Sequence, residues 1–259
     1  MNLAGKNVLV TGASSGIGLA LTKQLQQRGN RVMAVARSIA DVNLDGADVH
    51  KYACDVSVRQ NVDRMFEEAV RELGGLDVLV CNAGFAYYGP IVGSDWDAIE
   101  RIYRLNVFST IYSALKMKEF HAQRPYRVVL TASAQSFLAV PGYALYASTK
   151  AALRSFAAAY RYELGPNQRL HLVYPIATRT GFFSAAGNDT PVPWPSQTAE
   201  TVARAIIRGL ENETNDIFPS KLFRALNTLN GVMPFVRKGI AAWENRKLQS
   251  IVRQGSGIV

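Results

Sequence analysis

Short apolar, β-branched runs alternate with helical patterns along most of this chain, and this alternation constrains the fold more than any other feature. The first run, Asn7–Thr11, is followed by a glycine-rich turn and a helical pattern with apolar Leu19, Leu21 and Leu25. Further strands are predicted at residues 31–38, 49–56, 76–82, 127–131, 170–175 and 216–219. Such alternation is typical of a parallel sheet covered on both faces. The sequence therefore predicts an α/β fold with a single doubly wound parallel sheet and helices on both faces.

Length and composition limit the classes of protein to consider. The chain has 259 residues, 48% of them hydrophobic and 19% charged, which suits one large α/β domain or two small ones. No apolar run of about 18 residues is present, so no transmembrane helix is expected, and the first strand leaves no room for a signal peptide. Cys54 and Cys81 are expected to be buried thiols in a reducing cytoplasm. The three histidines are scattered, so no metal site is predicted.

The turn after the first strand is the first candidate binding site. It reads Gly-Ala-Ser-Ser-Gly-Ile-Gly and lies between a predicted strand and a predicted helix. Glycines allow a tight turn, and the free N–H groups at a helix N-terminus bind phosphate. The spacing differs from Gly-x-Gly-x-x-Gly, so a turn that only connects strand to helix is the alternative. The predicted cofactor contacts in this turn are Gly12, Ser14, Ser15, Gly16, Ile17 and Gly18.

The end of the second strand indicates which dinucleotide the site would bind. Sites for NAD usually place an acidic residue there, about 20 residues past the glycines, to bind the ribose 2′-hydroxyl. Ala36 and Arg37 occupy this end, and a guanidinium suits a 2′-phosphate. We therefore expect NADP(H) rather than NAD(H). The alternative is that Arg37 is only a solvated residue at a strand end.

Several residues with special chemistry lie at or just past the carboxyl ends of predicted strands. In a parallel sheet the carboxyl ends of the strands meet along one edge, where ligands bind. These residues are Gly12, Arg37, Asp55, Asn82, Ser133 and Pro175. One cleft would collect all of them, and this convergence is the strongest argument from the residues alone for a dinucleotide-dependent enzyme.

Tyr146 and Lys150 are candidates for acid–base chemistry. They lie four residues apart on one face of a predicted helix, and Ser133, thirteen residues before Tyr146, would hydrogen-bond the same substrate oxygen. A cation beneath the ring favours phenolate, so we expect the pKa of Tyr146 to lie below its usual value of about 10. The motif is weak by itself. Tyr112 and Lys116 repeat it and are interpreted as an ordinary helix-surface pair.

Together, these motifs resemble those of the classical short-chain dehydrogenase/reductase family over roughly residues 5–185. Residues 11–18 resemble the family's cofactor turn, and Asp55 with Val56 resembles its adenine site. The signature that follows the family's fourth strand is matched by Asn82, Ala83 and Gly84. The resemblance implies a Rossmann-like fold. It also implies a catalytic tetrad of Asn106, Ser133, Tyr146 and Lys150.

The resemblance implies a role for each member of the tetrad. Tyr146 would donate a proton to the substrate carbonyl oxygen, and Ser133 would hold that oxygen. Lys150 would lower the pKa of the tyrosine and bind the nicotinamide ribose. Asn106 would hold a water that links Lys150 to solvent; the alternative is a hydrogen-bonded amide in the core. Hydride would pass between nicotinamide and the substrate carbon.

One segment departs from the family pattern. The family commonly has Pro-Gly after the sixth strand and then a threonine that contacts the cofactor, whereas Pro175 is followed by Ile176. A side chain at this position would narrow the nicotinamide pocket. Thr178 and Thr180 are kept as predicted cofactor contacts. Residues 181–197, rich in Gly, Ser and Pro, are expected to form a mobile loop or lid.

The C-terminal end of the chain carries most of its excess charge. The net charge is +9, and residues 220–259 hold seven Lys and Arg against Glu244 alone. Helical patterns at 221–229 and after Pro234 are apolar on one side and basic on the other. Residues 219–259 are therefore predicted to be a basic amphipathic helical extension packed on the catalytic domain, residues 1–218. Contact with an anionic membrane surface or an acidic carrier protein is also considered.

The predicted function is that of an NADP(H)-dependent carbonyl reductase or alcohol dehydrogenase acting on a hydrophobic ketone or secondary alcohol. The alternatives are a 3-oxoacyl-thioester reductase and a non-catalytic NADP-binding regulator, for which Tyr146 would be unnecessary. No nucleic-acid partner is predicted. The resemblance favours a homodimer or homotetramer built on helices at 97–120 and 146–164. The expected location is the cytoplasm, with peripheral contact to a membrane considered.

Overall fold

The computed structural model of the protein describes residues 1–44, 46–121, 124–186, 193 and 195–232. The strands are β1 Asn7–Thr11, β2 Arg31–Ala36, β3 Val49–Ala53, β4 Val78–Cys81, β5 Tyr126–Thr131, β6 Gln168–Val173, β7 Ala177–Arg179, β8 Ser196–Thr198 and β9 Asp216–Ile217. The helices are α1 Gly16–Gln26, α2 Arg59–Leu73, α3 Trp96–Tyr103, α4 Ser109–His121, α5 Ala144–Tyr160, α6 Phe182–Ala186, α7 Ala199–Glu211 and α8 Lys221–Val232.

Seven of these strands form one parallel sheet in the order β3-β2-β1-β4-β5-β6-β9. The chain winds outward in one direction from β1 to β3 and in the other from β4 to β9. At such a reversal the loops after neighbouring strands separate and leave a crevice at the carboxyl edge. β7 and β8 pair in a separate two-stranded ribbon. The predicted α/β fold with a doubly wound parallel sheet is confirmed.

The alternation of side chains along β1 fills a core on each face of the sheet. Leu9 lies in the core formed with α2, α4 and α5, whereas Val8 and Val10 lie in the core formed with α1 and α7. Leu21 of α1 and Ile206 of α7 are fully buried there. Burial of each such side chain contributes about 1.5–3 kcal/mol. The two-sided core explains why the strands are apolar on both faces.

Local signals set the ends of the helices where the sequence predicted them. α2 ends at Leu73 because Gly74 adopts a φ of 76° and its N–H donates to the Val70 carbonyl at 2.8 Å. α7 begins after Thr198, whose hydroxyl accepts from the Thr201 N–H at 3.2 Å. These caps confirm the predicted helices at residues 58–73 and 198–210 to within one residue.

The helix predicted around Asn106 is not continuous. α3 ends at Tyr103, the segment Arg104–Phe108 forms a π-helical turn, and α4 follows directly. A π-helical turn inserts an extra residue into a helix and is frequent at functional sites. Apolar periodicity cannot reveal it, since one inserted residue barely changes the pattern.

The extension predicted at residues 219–259 is described only as far as Val232. α8 packs through Phe223 against the rings of Phe137 and Phe218, and Tyr174 stacks on Phe218 with ring centres 4.9 Å apart. The helical pattern after Pro234 and seven residues of the predicted lid, residues 187–192 and 194, lie outside the described residues. None of the helices described has both the length and the apolar character needed to cross a bilayer.

Candidate active site

The glycine turn between β1 and α1 is packed tightly against the turn that follows β4. Gly12 adopts a φ of 67°, and a Cβ atom there would lie 2.9 Å from the Cα atom of Ala83. A Cβ atom at Gly18 would lie 2.2 Å from the carbonyl oxygen of Gly12. Both glycines are therefore required by the geometry of the turn.

The first turn of α1 leaves backbone donors without side-chain caps. Ser15 stands at the N-cap in an extended conformation, but its hydroxyl makes no capping hydrogen bond, and the first turn contains no acidic residue. Ser14, Gly16 and Ile17 are half-buried. Uncapped N–H groups at a helix N-terminus carry partial positive charge. The residues present therefore fit the pyrophosphate of a dinucleotide.

Hydrogen bonds of Asn82 join the end of β4 to the glycine turn. Its backbone N–H donates to the Thr11 hydroxyl at 3.0 Å, and its Nδ2 donates to the carbonyl oxygens of Thr11 and Gly12 at 3.2 and 3.4 Å. Its Oδ1 accepts from Thr131 at 3.4 Å. The Ala83 N–H also donates to the Thr11 hydroxyl, at 3.1 Å. The Asn82 side chain thus positions the turn through internal hydrogen bonds.

The residues predicted to bind the ribose and the adenine of the cofactor follow two adjacent strands. Arg37 follows β2 and is exposed, and no hydrogen bond or ion pair joins its guanidinium to any residue that the structure describes. Asp55 follows β3, which pairs with β2. Its Oδ1 accepts from the N–H and hydroxyl of Ser57 at 2.9 and 2.7 Å, and Val56 is buried beside it. The Arg37 guanidinium is therefore available to a ligand at this edge.

Ser133, Tyr146 and Lys150 come together near the centre of the carboxyl edge. Lys150 Nζ lies 5.6 Å from the ring centre of Tyr146, one turn away on the same face of α5. Ser133 follows β5, and its hydroxyl lies close enough to Tyr146 to act against the rise of that phenol's pKa. The Ser133 hydroxyl also accepts from the Gln135 N–H at 3.1 Å, which fixes its position. A serine hydroxyl and a phenol can therefore bind one substrate oxygen together.

Lys150 is a buried cation. It is 4% exposed, and its Nζ donates to the Thr131 carbonyl oxygen at 2.8 Å. No carboxylate forms an ion pair with it in the part of the chain that the structure describes. Burial lowers the pKa of Lys150 to about 8. A lysine perturbed in this way and placed in a cleft is typical of a functional site.

The predicted lowering of the Tyr146 pKa is wrong. Burial raises the pKa of Tyr146 to about 12, and the nearby Ser133 hydroxyl opposes this rise only in part. The prediction considered the charge of Lys150 but not the removal of both groups from water, which disfavours phenolate. Tyr146 is therefore protonated at neutral pH.

The amide of Asn106 is held by three hydrogen bonds inside the protein. Its Nδ2 donates to the Phe85 carbonyl oxygen at 2.9 Å and to the Thr149 hydroxyl at 3.1 Å, and its Oδ1 accepts from the Phe85 N–H at 3.1 Å. A Cβ atom at Gly84 would lie 3.0 Å from this Oδ1. The geometry favours the alternative of a hydrogen-bonded core amide, which ties the π-helical turn to α5. The water-holding role stays a prediction.

Thr178 and Thr180 have different surroundings. A Cβ atom at Gly16 would lie 3.0 Å from Thr180 Cγ2, so Thr180 borders the glycine turn. The buried Thr178 hydroxyl donates to the Ile176 carbonyl oxygen at 2.9 Å and accepts from Gln197 on β8 at 3.3 Å. Thr180 can therefore reach a bound cofactor, whereas the Thr178 hydroxyl supports the β7–β8 ribbon.

Aromatic side chains that the sequence analysis did not identify surround Tyr146. The rings of Phe182 and Tyr143 lie 5.5 and 6.1 Å from it, both edge to face, and Tyr88 packs on Tyr143 at 4.7 Å. A largely apolar cavity of about 60 Å³ lies next to this cluster, between residues 87–93 and the start of α5. All three aromatic residues lie close in sequence to residues already singled out: Tyr88 follows Asn82-Ala83-Gly84, Phe182 follows Thr180, and Tyr143 precedes Tyr146.

A sequence model of the short chain dehydrogenase family matches residues 6–190. The match spans the chain from β1 through α6, including the glycine turn and the Tyr146–Lys150 pair. The chain belongs to the short chain dehydrogenase family. The resemblance predicted from the motifs is thus confirmed, and the protein is an oxidoreductase of this family.

Two reductases are among the short chain dehydrogenases most similar in sequence. The versicolorin reductase of Emericella nidulans is 28% identical over 197 residues, which cover 72% of this chain and 74% of the relative. A fatty acyl-CoA reductase of Mycobacterium tuberculosis is 29% identical over 248 residues, which cover 90% of this chain and 83% of the relative. The similarity to the second relative therefore extends over nearly the whole chain.

Solved structures of other short chain dehydrogenases share the fold. A short chain dehydrogenase from Burkholderia cenocepacia in complex with NADP superposes with a TM-score of 0.81 at 22% identity, covering 93% of this chain and 99% of the other. One from Burkholderia phymatum in complex with NAD gives 0.80 at 19% identity, covering 92% and 96%. Both nicotinamide cofactors occur among these neighbours, so the fold alone does not select between them.

Proposed function

We propose that the protein is an NADP(H)-dependent oxidoreductase that reduces an apolar ketone or oxidises the corresponding secondary alcohol. The observation that carries this proposal is the buried Lys150 ammonium beneath Tyr146. Burying a cation without a carboxylate partner destabilises a fold, so a purely structural role is a poor account of it. A role in proton transfer accounts for both the burial and the position.

Some residues of the site bind the substrate, and others take part in proton transfer. Ser133 and Tyr146 donate hydrogen bonds to the carbonyl oxygen of the substrate, where negative charge develops. NADPH, when bound, supplies the hydride. Tyr146 then releases its proton to the oxygen, and Lys150 stabilises the phenolate that remains. Phe182 and Tyr143 exclude water from this point.

The protonation state of Tyr146 supports the reductive direction at neutral pH. Because burial raises the pKa of Tyr146 to about 12, the phenol holds its proton at pH 7 and is ready to donate it. Oxidation of an alcohol requires the phenolate as a base, and this form is scarce at the same pH. Lys150, with a pKa lowered to about 8 by burial, remains largely charged at pH 7.

The preference for NADP(H) rests on the end of β2. The Arg37 guanidinium is exposed and forms no ion pair with a described residue, so it is available to a 2′-phosphate. Ser38 follows it, and no acidic residue stands at this strand end to bind a free 2′-hydroxyl. The NADP bound by the Burkholderia cenocepacia relative is consistent with this preference.

An apolar substrate is supported by the surroundings of the catalytic pair. The rings of Phe182, Tyr143 and Tyr88, and the apolar cavity beside them, offer few polar partners. The names of two relatives, versicolorin reductase and fatty acyl-CoA reductase, both describe reductases, and the second name describes action on an acyl chain. A 3-oxoacyl-thioester reductase is kept as the alternative substrate class, because an acyl chain also suits these apolar surroundings.

NADPH and NADH oxidation over a panel of ketones, aldehydes and acyl thioesters tests this proposal. Tyr146→Phe is expected to lower turnover by about 10²–10⁴-fold, the contribution typical of a positioned proton donor. Tyr112→Phe is the matched control because Tyr112 belongs to the second Tyr-x-x-x-Lys pair and donates to Asp63 at 2.7 Å. It should turn over like the wild type.

Two results would contradict separate parts of the proposal. Tight NADPH binding without turnover on any compound class would favour the non-catalytic regulator. A clear preference for NADH, unchanged in Arg37→Gln, would show that Arg37 does not bind a 2′-phosphate. A loss of NADPH affinity in Arg37→Gln with NADH affinity unchanged is the expected result.

A further inference from the structure

α8 presents three leucines to solvent on one side. Leu222, Leu226 and Leu229 are 56%, 38% and 46% exposed. Their spacing of four and three residues places them in one stripe along the helix. Single exposed leucines are normal on a protein surface, whereas an aligned group of them marks an interaction site.

The side of α8 next to this leucine stripe packs on the body of the protein. Phe223 packs against Phe137 and Phe218, with ring centres 6.3 and 6.1 Å apart, and its N–H donates to the Ser220 hydroxyl at 3.2 Å. Phe137 lies four residues after Ser133, at the carboxyl edge of the sheet. α8 is therefore anchored beside the candidate active site with its leucines facing outward.

The charged residues of α8 have one sign. Lys221 and Arg224 are exposed at the start of α8. No acidic residue occurs between Asp216 and Glu244, and residues 220–259 contain seven Lys and Arg against that single glutamate. A helix that is apolar on one side and basic beside it has the composition that binds the interface of an anionic membrane.

We propose that α8 docks the protein on an anionic membrane surface. Leu222, Leu226 and Leu229 enter the boundary between headgroups and acyl chains, Lys221 contacts lipid phosphates beside them, and Arg224 on the polar side of the helix adds positive charge. Binding is peripheral and reversible, since the stripe buries only three leucines.

A membrane fits these observations better than an acidic protein partner. The depression beside the stripe, bordered by Lys221, Arg224, Ala225, Thr228 and Leu229, is wide open to solvent. Protein partners generally place their anchoring side chains in well-packed pockets. A lipid surface needs no pocket, because it receives protruding side chains and supplies many phosphates of one charge.

Vesicle flotation with the full chain tests the proposal. Phosphatidylcholine vesicles are compared with vesicles that also contain phosphatidylserine. The wild type is expected to float with the second kind and to be released by raised salt, because surface charges are screened. The triple variant Leu222→Gln, Leu226→Gln, Leu229→Gln and the double variant Lys221→Gln, Arg224→Gln should each bind about tenfold or more weakly.

A charge-matched control separates local docking from net charge. Arg59→Gln, Arg64→Gln removes two exposed cations from α2 and should float like the wild type. Melting temperatures and sedimentation of each variant check folding and oligomeric state. The proposal is overturned if the wild type does not float with anionic vesicles, or if the leucine variant floats equally well. It is also overturned if the leucine variant loses only self-association, which would make a second copy the occupant.

Discussion

Replacement of Lys150 by methionine is expected to stabilise the protein while abolishing its activity. Lys150 is 4% exposed and donates one hydrogen bond, to the Thr131 carbonyl oxygen at 2.8 Å. No carboxylate in the described part of the chain compensates its charge. Methionine keeps a long unbranched side chain without the charge.

The magnitude follows from the pKa of the buried ammonium. Burial lowers it from 10.5 to about 8, and a difference of about 2.5 corresponds to about 3 kcal/mol of destabilisation at pH 7. Between pH 8 and 10.5 the unfolded chain binds more protons than the folded one, so the stability of the wild type rises with pH over this window. The substitution also leaves the Thr131 carbonyl without its partner, which costs about 1 kcal/mol. We therefore expect Lys150→Met to be more stable by about 2 kcal/mol at pH 7.

Urea denaturation at pH 7 and pH 10 measures this gain, and steady-state NADPH oxidation measures the loss of activity. The gain should be largest at pH 7 and shrink at pH 10, where folded wild-type Lys150 is already neutral. Lys116→Met is the control: Lys116 Nζ lies 3.4 Å from an Asp63 carboxylate oxygen, so its removal should not stabilise the protein. The reasoning is refuted if Lys150→Met is less stable than the wild type at pH 7, or if its gain is equal at both pH values.

Three further predictions each rest on one site. Gly84→Ala would place a methyl carbon 3.0 Å from Asn106 Oδ1, so kcat should fall about tenfold in steady-state assays while the fold persists; an unchanged kcat would contradict this. Burial lowers the pKa of His171 to about 4, so the unfolded chain binds more protons below pH 6.5 and the stability should fall by up to about 3 kcal/mol between pH 6.5 and 4. Chemical denaturation should show this loss in the wild type and in His50→Gln but not in His171→Gln. Alcohol oxidation should accelerate as pH rises above neutrality, because the phenolate of Tyr146 becomes more abundant; a flat pH–rate profile would contradict the assigned role.

The fold could be predicted because its signals are local and repeated. The run at residues 31–38 contains β2, Arg31–Ala36, and the pattern at 58–73 contains α2, Arg59–Leu73. Each buried strand is apolar on both faces, and each helix is apolar on one face. The spacing of apolar residues therefore predicts a sheet that lies between two layers of helices. The carboxyl-edge cleft then follows from parallel pairing alone, which is why residues after separate strands could be assigned to one site.

The details of the site depend on contacts between distant segments, and these leave little trace in a single sequence. The π-helical turn that contains Asn106 leaves the apolar pattern nearly unchanged. The Phe182 ring, 5.5 Å from Tyr146, reaches it from a segment that looked like a loop. The hydroxyl of Thr178 accepts a hydrogen bond from Gln197 on β8, and spacing along the chain does not indicate this pairing.

The same limit explains why the pKa of Tyr146 was predicted in the wrong direction, and it clarifies what the pair does. Burial favours the neutral form of both groups. At pH 7 the resting site holds a protonated phenol, and Lys150, whose pKa of about 8 still lies above 7, remains an ammonium 5.6 Å from the ring centre. When Tyr146 gives up its proton, the phenolate becomes the counter-ion that Lys150 otherwise lacks. With the phenolate charge placed at the ring centre, the attraction is about 3 kcal/mol at an effective dielectric constant of about 20. This is similar to the cost of burying Lys150 at pH 7, so the destabilisation present in the resting site is recovered when the proton is donated.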